Sequence, residues 1–258
     1  MSDTKRAPTP PRRPSDEFGE LGVELSVVIP AFNEEHRLRP TVEAVARHLR
    51  ARPGRWEVIV VDDGSTDATA AVAALLARRE PSVRLIRTPS NRGKGHAVRC
   101  GVLASRGRHV LFTDADLPTP IEELDRLRSA LSGGAGAAIG ARTHREAQGA
   151  VRRLLGRAGS RLIRTLSVPA FSDTQCGFKL FDGAKARTVF GLARIDGWGF
   201  DVEILRLFAR FGWTVAEVPV RWVHRPGSTL RPSAYLHTLA DLYRIHRDAA
   251  LGDLGAKC

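Results

Sequence analysis

"WEVIVVDDGSTD", residues 56–67, decides how this chain folds. An apolar run from Val58 to Val61 ends in two aspartates, Asp62 and Asp63, and then in a Gly-Ser-Thr-Asp turn. That is a buried strand delivering carboxylates to its carboxyl end, with Ser65 or Thr66 placed to cap a helix running to about Arg79. The same unit repeats on both sides. Upstream, "ELSVVIP" (24–30) is a strand followed by a helical pattern from Glu34 to about Arg50. Downstream, "VRLIRT" (83–88) is a strand and "GKGHAVRCGVLAS" (93–105) a helix. "RHVLFTDAD" (108–116) is a fourth strand, and "AAIGAR" (137–142) a fifth, after a helix near Ile121 to Leu131.

Strands alternating with helices of these lengths predict an α/β fold: a mostly parallel, Rossmann-like sheet with helices on both faces. Ligands of such sheets bind beyond the carboxyl ends of the strands. Four strand ends bring Glu34, Asp62, Asp63, Asp114, Asp116 and Arg142 to one rim. Asp67 is accounted for as a helix cap. Asp62 with the Asp114 and Asp116 pair is not, because one helix start needs one cap.

In a strand, residues two apart face the same way, so Asp114 and Asp116 converge and repel unless a positive charge lies between them. A hard divalent cation takes oxygen ligands, and Mg²⁺ typically accepts one or two carboxylates plus phosphate oxygens. Asp114 and Asp116 are therefore expected to hold Mg²⁺ or Mn²⁺, and the metal a diphosphate. Lys94 opens a helix beside this site, either as a binding group or as a solvated lysine in a Gly-rich turn. The chain has no GxxxxGK[ST] and no GxGxxG after the first strand, which removes P-loop and dinucleotide-binding readings.

With 258 residues, the chain suits one large domain or a domain with an elaborated end. The expected division is a disordered Pro-rich leader over 1–22, a catalytic domain over 23–232, and a C-terminal amphipathic helix and tail over 233–258. No stretch reaches the roughly 18 apolar residues of a membrane span, and no signal peptide opens the chain. The expected location is the cytoplasm, peripheral at the inner face of the membrane. Cys100, Cys176 and Cys258 show no CxxC spacing and read as reduced thiols.

The net charge of +12 is concentrated. Residues 141–165 hold seven arginines against Glu146, and residues 221–247 hold five against Asp241; together they supply +10. Residues 151–166, "VRRLLGRAGSRLIRTL", fit an amphipathic helix with Val151, Leu154, Leu155, Ala158, Leu162 and Leu166 as its stripe. Arg153, Arg157, Arg161 and Arg164 lie opposite. This face suits anionic headgroups at a membrane interface, or it is an ordinary surface helix packed on the core. The second segment opens with a strand at "VRWVH" and continues into a loop marked by Pro226, Gly227, Ser228 and Pro232, with Arg225 and Arg231 within it. His224 is a loop residue able to contact diphosphate. A nucleic-acid partner is not expected, because the arginines lack interleaved aromatics and no DNA-binding motif appears.

"VVIPAFNEE", "VVDDGSTD", "NRGKGHAVRCG", "FTDADLPTP" and "GAR", in this order, resemble the family 2 glycosyltransferases of GT-A fold. "DTQCGFKLF" (173–181) and "GWGFDVEIL" (197–205) resemble the polyprenyl- and dolichyl-phosphate sugar transferases, above all the dolichyl-phosphate β-glucosyltransferase branch. The resemblance implies a metal-dependent, inverting transfer from a nucleotide diphosphate sugar, UDP-glucose or GDP-mannose, to a polyprenyl phosphate. It implies that Pro30, Phe32 and Glu34 line the nucleotide pocket, with Asp62 reading the base and Asp63 nearby. Asp114 and Asp116 match the metal-binding DxD, and Arg142 would meet the acceptor phosphate. Gln175 and Lys179 would lie near sugar or acceptor, and Trp198, Asp201 and Glu203 match a W-x-F-D-x-E segment.

A lipid phosphate is already anionic and needs no strong base, so Arg142 and the arginines of the basic helix would position it. A hydroxyl acceptor needs a base, for which Asp201 and Glu203 are the candidates; their alternative role is to cap and solvate the helix through Leu207. A sugar nucleotidyltransferase shares the sheet and the acidic metal site, but carries a Gly-rich loop with a lysine after its first strand, where this chain has "PAFNEE".

Overall fold

The computed structural model describes residues 22–142 and 171–223. The elements run β1 (Val23–Ala31), α1 (Leu38–Arg50), β2 (Arg55–Asp62), α2 (Thr69–Arg79), β3 (Val83–Arg87) and α3 (Lys94–Leu103). Then follow β4 (His109–Thr113), a 3₁₀ turn (Ile121–Glu123), α4 (Leu124–Ser132) and β5 (Ala137–Arg142). After the gap come β6 (Phe178–Asp182), α5 (Gly183–Leu192), α6 (Phe200–Arg210) and β7 (Val215–Val220). The sheet order is β3-β2-β1-β4-β6-β5-β7. All pairings are parallel except those of β6, which runs antiparallel to both β4 and β5. The α/β expectation holds.

Each central strand is buried on both sides, so it reads as a continuous apolar run. Alternate residues feed two cores. Val27, Ile29 and Leu111 meet Leu38, Val42 and Leu49 of α1 and Leu124 and Leu127 of α4. Val28, Ile59, Val61 and Phe112 meet Val98 of α3 and Phe190 and Phe208 of α5 and α6. Among the described residues, no helix is long and apolar enough to cross a membrane.

Several boundaries differ from the sequence reading. The first helix starts at Leu38, because the Glu34 carbonyl accepts from both Arg37 N and Leu38 N and residues 34–37 form a turn. The second starts at Thr69, whose amide is capped at 2.9 Å by Asp67 Oδ1. Ser65 and Thr66 have a different job: Ser65 Oγ accepts from Asn33 N and Thr66 N donates to Asn33 Oδ1, each at 2.9 Å, tying the ends of β1 and β2 together. The strand expected at "VRWVH" lies earlier and ends at Val220.

The consequential correction concerns β4. It ends at Thr113, so Asp114 and Asp116 do not share a strand face. They sit in a turn closed by Leu117 N donating to the Asp114 carbonyl at 3.1 Å, with Leu117 at φ 45°. A turn, rather than strand alternation, brings the two carboxylates to the rim.

Candidate active site

The positive charge beside the aspartates is supplied by the protein itself. Lys94 Nζ lies 2.6 Å from Asp114 Oδ1, with side chains only 15% and 24% exposed. The same ammonium stands over two aromatic rings, 5.2 Å from the Phe112 centroid and 4.8 Å from that of Trp198. It is not a solvated turn lysine. Burial disfavours its charge, but Asp114, Asp201 and Asp116 outweigh that and raise its pKa.

The local sequence explains why Lys94 is there. Asp63 Oδ2 accepts from Arg92 N (3.1 Å) and Gly93 N (2.7 Å), and Asp63 Oδ1 accepts from Thr88 Oγ1 (3.1 Å). These bonds shape the turn that launches α3. Gly93 is required in it: its φ is 113°, and a Cβ would lie 2.5 Å from the Asp196 carbonyl oxygen. Lys94 follows as the first helical residue.

Asp116 is met more loosely, by Arg37 Nη1 at 3.9 Å, while Arg37 Nε lies 2.6 Å from Glu34 Oε2. Burial first, and the Asp114 charge second, raise the pKa of Asp116. Burial also raises Glu34, with Arg37 opposing and Asp116 adding to the rise. Behind Asp114 lies Gly177, where a Cβ would overlap the carboxylate, Oδ2 first. Only glycine leaves room for that side chain.

These residues fit a hard divalent cation. Two adjacent, partly exposed carboxylates repel each other, and they offer oxygen donors alone. Among the described residues no group of three or more His, Cys, Asp or Glu side chains completes a cage. Two carboxylates with an open side are what Mg²⁺ or Mn²⁺ takes when a ligand's phosphates supply further oxygens.

The remaining sequence candidates are distributed around this centre. Pro30 is buried in β1 and Phe32, just past its end, is 37% exposed. Asp62 is fully buried and accepts from Ser65 N (3.2 Å) and Arg87 Nε (3.3 Å). Arg142 forms a bidentate pair with Asp173, Nε at 2.6 Å and Nη2 at 2.7 Å, and lies 5.6 Å from the Trp222 ring. Gln175 has a buried Nε2 with no hydrogen-bond partner. Lys179 points into the protein, 2.6 Å from Asp201 Oδ1.

Glu203 accepts from Arg194 N and Ile195 N, both at 2.9 Å, and so pins the segment before Trp198. Neither Asp201 nor Glu203 merely solvates its helix. Arg153, Arg157, Arg225 and Arg231 lie outside the described residues, as do the 151–166 helix, His224, the leader and the C-terminal helix.

Sequence reasoning missed Arg37, Asp173, Gly177 and Trp222. Arg37 carried a signal, its i+3 spacing from Glu34 on a turn. Asp173 and Gly177 lie inside a quoted motif, but their partners are distant in sequence, and spacing does not report such pairs.

The profile of Glycosyl transferase family 2 matches residues 26–187. The dolichyl-phosphate beta-glucosyltransferase of Drosophila melanogaster is 39% identical over 242 residues, 86% of this chain and 74% of that protein. The Homo sapiens dolichyl-phosphate beta-glucosyltransferase is 37% identical over 81% of this chain and 70% of its own length. Glucosyl-3-phosphoglycerate synthase from Mycobacterium tuberculosis, solved with Mn²⁺, UDP-glucose and phosphoglyceric acid, superposes with a TM-score of 0.66 at 23% identity, covering 92% of this chain and 85% of that one. Mannosyl-3-phosphoglycerate synthase from Rubrobacter xylanophilus gives a TM-score of 0.68 at 20% identity over 92% and 78% of the two chains. At these identities the two structures speak for the fold, which is GT-A.

Proposed function

This chain belongs to glycosyl transferase family 2 and is a nucleotide-sugar-dependent glycosyltransferase, and from that premise we propose that it transfers glucose from UDP-glucose to a polyprenyl phosphate with inversion. Relatives that glucosylate dolichyl phosphate support the sugar and the acceptor class. GDP-mannose is the competing donor.

One observation carries the choice of a phosphate over a hydroxyl acceptor. A hydroxyl needs a base, and the two candidates are both engaged: Asp201 with the Lys179 ammonium, and Glu203 with two backbone N–H groups. An ionised phosphate needs neither.

Asp114 and Asp116 would hold Mg²⁺ or Mn²⁺, which when bound supplies a Lewis acid for charge growing on the departing diphosphate. The chain's own residues do the rest. Asp62 reads the base, while Pro30, Phe32 and Glu34 line the nucleotide pocket. Lys94 adds a positive charge where the diphosphate leaves. Gln175, whose Nε2 has no partner, offers a donor to sugar or phosphate. Arg142 marks the acceptor side, held in place by Asp173. Arg153, Arg157, Arg225 and Arg231 would bind the acceptor's anionic surroundings, each adding about 1 kcal/mol near an anionic surface.

The test is a panel of nucleotide sugars with polyprenyl phosphate, read as nucleoside diphosphate release. Release with UDP-glucose only when polyprenyl phosphate is present is the expected result. Release driven instead by a soluble hydroxyl acceptor would overturn the acceptor assignment. For the membrane, sedimentation with anionic liposomes at low salt should be lost in Arg153→Glu/Arg157→Glu and should fall as salt rises.

A further inference from the structure

Asp114 offers its two oxygens unequally. Oδ2 packs against the Gly177 backbone, where even a methyl group would collide with it. Oδ1 is held by the Lys94 ammonium at 2.6 Å. The less obstructed oxygen of this carboxylate is therefore the one Lys94 occupies. Asp116, met by Arg37 at 3.9 Å, is less tightly neutralised.

A cation ligated by Asp114 at the usual oxygen distance would stand within about 5 Å of an ammonium on the same oxygen, and the two would repel strongly. Their repulsion favours the departure of one of them. The Lys94 backbone cannot follow, because Arg92 N and Gly93 N are bonded to Asp63 and His96 N donates to the Asp196 carbonyl at 3.1 Å. Gly95 packs against the Ile195 carbonyl with no room for a Cβ. The four-carbon side chain, with its rotatable stem, is the part that can move.

We propose that Lys94 is the resting counterion of Asp114, displaced when a divalent cation binds, and that the nucleoside diphosphate of the donor receives the displaced ammonium. Cation and diphosphate then bind as a cooperative pair, and the cation alone binds weakly. The inference rests on the reading that Asp114 and Asp116 ligate the metal. It assigns Lys94 a positioning role distinct from simple attraction of phosphate: Lys94 opposes the metal in the absence of nucleotide and assists it in its presence.

The experiment titrates Mn²⁺ into the full chain, following free Mn²⁺ by electron paramagnetic resonance, with and without UDP or GDP. Without nucleotide, Lys94→Gln should bind Mn²⁺ about tenfold more tightly than the wild type. With nucleotide, the wild type should gain about tenfold in Mn²⁺ affinity, and Lys94→Gln far less. Lys94→Met, which keeps the apolar stem against Phe112 and Trp198, should behave like Lys94→Gln and guards against a folding artefact.

A second readout uses Mg²⁺, which does not quench emission. Mg²⁺ with nucleotide should change tryptophan fluorescence in the wild type, and the change should vanish in Trp198→Phe. Unchanged or weaker Mn²⁺ binding by both Lys94 variants without nucleotide would overturn the counterion role while leaving the metal site standing. No Mn²⁺ binding by the wild type even with nucleotide, or binding that survives in Asp116→Asn, would overturn the metal reading and the counterion with it.

Discussion

Lys179 Nζ and Asp201 Oδ1 stand 2.6 Å apart with side chains 2% and 3% exposed, joining β6 to the first turn of α6; the Lys179 ammonium, like that of Lys94, stands over the Phe112 ring. Lys179 also donates to the Cys176 carbonyl at 2.5 Å. Removing one member leaves the other charged, buried and without its main partner. Lys179→Met and Asp201→Leu should each cost about 3–5 kcal/mol, and the double variant should recover much of that loss. Urea unfolding of the four proteins decides it. Single costs below about 1 kcal/mol would show that the pair does not fasten α6 to the sheet.

Gly177→Ala should fold but lose turnover. The new methyl group collides with Asp114, so the carboxylate must turn away from its place at the rim. Overpacking of this kind costs about 1–3 kcal/mol, and a displacement near 1 Å at a reacting site costs roughly 100-fold in rate. Nucleoside diphosphate release and thermal unfolding, measured on the same preparation, separate the two effects. Wild-type turnover would mean that Asp114 has slack that the structure does not show.

Chelation should stop the reaction. EDTA in excess is expected to remove most of the turnover, Mn²⁺ or Mg²⁺ to restore it, and Asp116→Asn to lose at least 100-fold in rate while keeping its circular dichroism spectrum. Full activity in EDTA excludes the role assigned to Asp114 and Asp116.

Asp196 gives a pH prediction. It accepts from Arg99 at 2.5 Å and from Arg92 at 3.0 Å, bridging α3 to the segment that carries Trp198. Burial acts to raise its pKa, but the two guanidiniums outweigh that and hold it below the ordinary aspartate value. A depressed carboxylate stabilises the fold above its unfolded pKa, about 3.9, and the contribution disappears as pH falls through the folded value. Asp196→Asn should therefore be less stable by about 1 kcal/mol at neutral pH, a small figure because the group is partly solvated. The gap should close below about pH 4. A gap that widens in acid would contradict the assignment.

The parts of this fold that a sequence reveals are those decided by neighbours in the chain. Val58 to Val61 followed by Asp62 announces a strand and its end, and five of the seven strands were found by that pattern. What stayed hidden was decided at a distance. β6 has the motif "GFKLF", whose Lys179 looks polar enough for a surface until Asp201, 22 residues on, neutralises it inside the protein. The rim aspartates were found for the wrong reason: strand alternation was the premise, but β4 ends at Thr113 and a turn at Leu117 aims them. The sequence places Lys94 beside the site but leaves its role open; its direct pairing with Asp114 joins two elements far apart in the chain and is visible only in the fold.

The antiparallel β6 has a consequence for synthesis. Among the described residues, β1 covers one edge of β4 and β6 the other, and β5 pairs with β6 and β7 alone. Of the described strands, a nascent chain that has emerged through residue 142 can assemble the β3-β2-β1-β4 half, but it lacks the partner of β4's second edge and both described partners of β5. Unpaired apolar edges are sites of chain-to-chain pairing, and long-range strand additions are slow. The interval before residue 182 clears the ribosome is thus the period of greatest exposure to aggregation. It ends when the strand that carries Lys179 slots between its two partners.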